Sequence, residues 1–198
     1  MCLPQVYHDF HGFVAKAWAE VTGQCGEGLL FDIHGHSHAE MWVEFGYLLT
    51  ASQLAASDEE LQQYEAVSSI KSVSGRHSSQ SQFAEVLRGK KSMGSLLAGK
   101  GYPSVPSPEF PDPDGGNYFS GGYITATHGS RDEGTVDAIQ IESPRDVRFE
   151  ENGRDREVYA RHLAESILEF YELYYPEPAR KFPFVFFLGP LFSFLVWS

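Results

Sequence analysis

Only two cysteines occur in the 198 residues, Cys2 and Cys25, and neither belongs to a CxxC or CxxH pair. A disulfide framework is excluded, and a reducing compartment fits. Positive charge is also scarce: 15 Lys plus Arg stand against 27 Asp plus Glu, a formal net charge of -12. Such a chain has no general attraction to phosphate backbones, so no nucleic-acid partner is expected. Between Lys100 and Lys181 lysine is missing altogether, while Arg131, Arg145, Arg148, Arg154, Arg156 and Arg161 fall close together. Arginine's rigid fork suits carboxylates. Arg131 and Arg148 are the candidates to bind an acidic substrate, and the remaining arginines read as solvated helix charges. The opening "MCLPQVYHDF" has neither the cationic start nor the apolar run of a secretory signal, which leads to the expectation of a cytoplasmic protein.

What is present is the composition of a folded chain. Hydrophobic residues make up 42% and charged residues 21%, and the length suits one domain with a substantial core. Phe10, Phe13, Val14, Ala17, Trp18 and Val21 recur at helical spacing until the glycines of "TGQCGEG" end the pattern. "GLLFDIHG" then reads as a strand buried on both faces, with His34 at its carboxyl end. "VEFGYLLT" reads as a second strand, "SDEELQQYEAV" as a helix begun by Ser57 or Asp58, and "SQFAEVLRG" and "MGSLLAGKG" as helical turns closed by glycine. The tract "GYPSVPSPEFPDPDGGNYFSGG" is too rich in proline and glycine for either element and predicts a long loop, ordered by its aromatic residues. "YITATHG" and "TVDAIQIE" alternate as strands do, and a last helix is predicted from about Arg154 to Tyr175.

The carboxyl terminus changes character. Phe182 to Ser198 carries no charge and includes Pro183 and Pro190, which weaken a continuous spanning helix. A membrane anchor, a buried strand and an aggregation-prone tail are all open readings, so membrane association through this segment is the alternative to a purely cytoplasmic location.

The chemistry concentrates in "FDIHGHSHAE". Imidazole and carboxylate are the donors of catalytic zinc sites, where three protein groups leave a fourth position for water. In open parallel sheets the ligand crevice lies beyond the carboxyl ends of the strands, where His34 falls. His34 and His36 are the candidate metal ligands. Asp32, projecting to the same face, is the candidate to hold the ring's other nitrogen, and capping of a loop by hydrogen bonds is the competing reading. Glu142, at the end of "AIQIE", is a candidate general base if burial raises its pKa, and His128 in "THGS" either contributes to the same site or closes a turn.

"GLLFDIHGHSHAEMWVEFGYLLT", "SVPSPEFPDPDGGNYFSGGYITATHGS", "DAIQIESPRDVR" and "YARHLAESILEFYELYY" resemble, in this order, the carboxyl-terminal part of the N-formylglutamate amidohydrolase family, from about Val6 to Tyr175. That resemblance implies an α/β fold like that of the zinc carboxypeptidases and aspartoacylase: a mixed, mostly parallel sheet sandwiched by helices. It implies a hydrolase that removes a formyl or similar acyl group from an amino acid such as glutamate, with zinc as cofactor. By position in the motif, His34 matches the family's last zinc ligand and Glu142 its catalytic glutamate. The family's upstream histidine and glutamate ligands, and its "DLNR"-like segment, have no counterpart before His34. The expectation is a member truncated at its amino end, with a domain over residues 6–176 and a hydrophobic tail over 177–198. Three readings follow: an enzyme whose missing ligands are replaced by His36, His38, Glu40 or His8; an inactive homologue; or a module that binds an acidic ligand. Sheet edges uncovered by the missing part would favour homo-oligomers.

Overall fold

Gly28 to Gly35 form the strand β1 predicted for "GLLFDIHG", and Val136 to Ser143 form a second strand of equal length. The computed structural model describes residues 3–76, 82–149, 155–175 and 186–188. In chain order its elements are α1 (Leu3–Cys25), β1 (Gly28–Gly35), β2 (Val43–Gly46), α2 (Ala51–Leu54), α3 (Asp58–Leu61), a 3-10 turn over Gln62–Val67, α4 (Lys71–Arg76), α5 (Gln82–Arg88) and α6 (Met93–Ala98). There follow β3 (Ser104–Val105), α7 (Tyr123–His128), β4 (Val136–Ser143), α8 (Arg145–Arg148), α9 (Arg156–Tyr174) and β5 (Phe186–Leu188).

The strands form one five-stranded sheet in the order β3-β2-β4-β1-β5. β1 runs parallel to β4 and β5, β2 runs parallel to β3, and β2 meets β4 antiparallel, so the sheet is mixed with mostly parallel pairs. Side chains alternate between its faces. On one face Phe31, Val43, Phe45, Ile139 and Ile141 pack with Leu54, Leu61, Val73, Phe83, Leu87, Leu97, Leu163, Ile167 and Phe170 from α2 to α6 and α9. On the other, Leu30, Val136 and Ala138 meet Val14 and Trp18 of α1 and Ile124 of α7. The sheet therefore lies between helices, as the α/β reading requires.

Local signals set the helix ends. Thr50 and Ser57 each close a capping box, with Gln53 and Glu60 respectively, and Asp155 caps α9 through the N–H groups of Glu157 and Val158. In α1 the buried line runs through Val14, whereas Phe13 is turned outward and 58% exposed, against the predicted apolar face. "VEFGYLLT" remains extended only to Gly46, because Leu48 turns the chain with φ 65. "YITATHG" is a helix and not a strand. Its β-branched residues satisfy strand propensity, but Gly121 at φ 122 breaks the chain before it, and the helix packs Ile124 against Leu30, Val136 and Ala138 of the sheet while Thr125 is fully buried. The tail lies outside the described residues except for β5, which pairs Phe186 to Leu188 with Phe31 to Ile33. Among the described residues no helix is long and apolar enough to cross a membrane.

Candidate functional site

The face of the sheet that is apolar at Leu30 and Ala138 turns polar toward the carboxyl ends of β1 and β4. Register dictates which residues meet: Asp32 lies opposite Gln140, His34 opposite Glu142, and on the antiparallel side Glu44 lies opposite Glu142. Paired residues point to the same face with Cβ atoms about 4.5–5.5 Å apart. His34, Glu142 and Glu44 thus stand in a row across three strands, with Asp32 and Gln140 behind them.

Burial gives this row its chemistry. Asp32 and Glu142 are each 6% exposed and Glu44 is 0% exposed, while 41% of the His34 side chain reaches solvent. His34 Nε2 donates to Asp32 Oδ1 at 2.8 Å, and this bond, reinforced by the charges of Asp32 and Glu142, raises the imidazole pKa against the opposing effect of burial. Gln140 Nε2 donates to Glu142 Oε1 at 2.8 Å. Burial nevertheless holds the Glu142 carboxyl above its ordinary pKa; His34 and Gln140 oppose it, and the neighbouring Glu44 and Asp32 add to it. A carboxyl so placed binds a proton more readily than a surface one.

At the end of the row lies a second group. His36 and His38, on the loop that leaves β1, converge with Glu44 so that one nitrogen or oxygen from each lies within 4.8 Å of the others; this group could hold a metal ion. His38 Nδ1 donates to Glu44 Oε1 at 2.7 Å, and His36 Nε2 lies 3.6 Å from the same oxygen while donating to Trp42 O at 2.9 Å. The other carboxylate oxygen, Glu44 Oε2, accepts the Phe119 N–H at 2.7 Å. The His38 ring lies 4.6 Å from that of Phe119.

The remaining predicted residues fall in three places. His128, at the end of α7, stacks on His11 of α1, with His11 Nδ1 and His128 Nε2 3.1 Å apart. Burial first, and His11 second, lower the His128 pKa, and Asp32 acts in the opposite direction, so this pair borders the polar row. Arg148 donates through Nε to Ser143 O at 3.1 Å and through Nη2 to His36 O at 2.7 Å, which fastens the histidine loop to the end of β4. Arg131 is bonded to Asp132 in the turn that precedes β4, whose first residue, Val136, is itself six residues and about 20 Å of strand from Glu142. Glu40 accepts from Asn117, and His8 is exposed on α1.

Sequence reasoning missed Glu44 and Gln140. The available signal was a lone acid inside the apolar run "VEFGY", which becomes informative only once the register assigns it to the polar face. No family model, curated protein or solved structure matches this chain.

Proposed function

We propose that the chain hydrolyses the amide bond of a small N-acyl amino acid, N-formylglutamate being the substrate that the resemblance implies. The observation that carries the reading is the register of His34 with Glu142 on a buried polar face at the carboxyl ends of adjacent parallel strands. Glu142, with its pKa raised by burial, takes a proton from a water molecule as the oxygen attacks the amide carbonyl carbon. The same proton then passes to the leaving nitrogen as the carbon-nitrogen bond breaks. His34 has Nε2 engaged by Asp32, so Nδ1 is the nitrogen that reaches the carbonyl oxygen. Asp32 favours the protonated ring and thereby a donor to the developing oxyanion.

The family's cofactor is zinc on His34. Among the described residues the three-donor group excludes His34, whose partner is Asp32 through Nε2. One imidazole does not make a catalytic zinc site, so that position does not fit the ion and no step is derived through it. The test is formate release from N-formyl-L-glutamate by the purified chain. Glu142→Gln is expected to lower kcat/KM by about 100- to 10,000-fold with an unchanged far-UV circular dichroism spectrum. Full activity in that variant, or no turnover by the parent chain, would contradict the reading.

A further inference from the structure

Asp32, Glu44 and Glu142 are three carboxyl groups, all at most 6% exposed, on one face of one sheet. No lysine or arginine of the described residues pairs with any of them; their bonded partners are His34, His38, Gln140 and the Phe119 N–H. Buried carboxylates are costly unless a cation offsets them, histidine is the only side chain that does so in these contacts of the described residues, and an acidic substrate would add further negative charge. From this imbalance and the histidine geometry we infer that His36 Nε2, His38 Nδ1 and Glu44 Oε1 bind one divalent cation, zinc by donor type.

The arrangement suits the ion in three respects. Two imidazoles and a carboxylate are a donor set of catalytic zinc, and three protein ligands leave a fourth position for water or a substrate oxygen. Tetrahedral zinc with bonds near 2.1 Å sets its ligands about 3.4 Å apart. Glu44 Oε1 lies 3.6 Å from His36 Nε2 and 2.7 Å from His38 Nδ1, both within about an ångström of that spacing, and all three donors lie within 4.8 Å of one another. The ligands are also oriented from behind. Phe119 N–H holds Glu44 Oε2, Phe119 covers the His38 ring, and Arg148 holds the backbone of His36.

Coordination leaves each neutral ring its proton on the far nitrogen, Nδ1 of His36 and Nε2 of His38. The His38 N–H contact to His36 Nδ1, 3.1 Å long, is then the one that opens, and His36 Nε2 exchanges Trp42 O for the metal. The register of Glu44 with Glu142 puts this ion one strand from the proposed base. The site itself rests on these atoms whether or not the chain hydrolyses amides.

Isothermal titration calorimetry of the full chain, stripped with chelator and titrated with zinc chloride, tests the assignment. About one equivalent is expected. His38→Ala and Glu44→Gln should each weaken binding more than about 100-fold, and His34→Ala by less than the roughly tenfold cost of a lost outer partner. Because Glu44→Gln alters a buried group, ring nitrogen-15 spectra of the unmodified chain give a second reading: zinc should shift His36 Nε2 and His38 Nδ1 and leave His34 in place. No zinc uptake, or uptake abolished by His34→Ala and unaffected by His38→Ala, overturns the proposal. Zinc binding at these nitrogens without amide turnover would remove the hydrolase reading alone. Formate release by a parent chain that takes up no zinc would remove the metal site alone.

Discussion

His128 illustrates how a single residue near the site reports on pH. Its pKa is held below the ordinary value by burial and by His11, so the unfolded chain binds its proton more readily than the folded one. Stability is therefore present above the unfolded pKa near 6.5 and is lost as the pH falls through it toward the lower folded value. His128→Gln should remove this contribution, so its urea midpoint falls less between pH 7.5 and pH 5.5 than that of the parent; equal falls would show that the pair is not held in this way. At this scale the sequence was partly legible. His34 and Glu142 each follow an apolar strand at its carboxyl end, a position visible in the letters. Glu44 was not, because alternation along "VEFG" cannot say which face is polar until a neighbouring strand fixes the register. Arg148 was expected to meet substrate and is spent on the backbone oxygens of His36 and Ser143, a role that no side-chain pattern announces.

Among the elements, β2 and the segment crossing it matter most to the site. Residues 117–122 are tied down by Tyr118 OH to Phe45 O at 2.8 Å, by Leu48 N–H to Ser120 O at 2.6 Å and by Phe119 N–H to Glu44. They pass so close to Gly46 that a Cβ there would lie 2.5 Å from Gly121 N. Gly46→Ala must push this segment away, with an expected loss of about 1–3 kcal/mol in urea denaturation and weaker zinc binding through Glu44. Unchanged stability and affinity would mean that the segment does not support the carboxylate. The Pro/Gly tract containing it was predicted as a loop throughout, but Ser104 and Val105 within it form β3 by pairing with Val43 and Glu44; aromatics anchor the rest, where Trp42 meets Phe110 and Tyr118 reaches β2. α7 was misread because Ile124, Thr125 and Thr127 carry strand propensity, while packing against the sheet decides the outcome.

Taken as a whole molecule, one cluster joins the central strands to α2 through α6 and to α9, with Phe170 fully buried in it. Phe170→Ala should cost about 3–5 kcal/mol, read from the urea midpoint, and a loss under about 1 kcal/mol would mean that α9 is not part of that core. The α/β class was legible because most periodic runs, α7 excepted, separate into helix and strand, whereas the antiparallel meeting of β2 with β4 depends on long-range pairing that local sequence does not encode. The polar row at the carboxyl ends of β1 and β4 is where hydrolysis is proposed to occur. The most direct measurement is incubation of the chain with N-formyl-L-glutamate in oxygen-18 water, followed by mass analysis of the formate. Hydrolysis through Glu142 predicts labelled formate from the parent chain and none above background from Glu142→Gln; unlabelled formate, or equal labelling by both proteins, would contradict it.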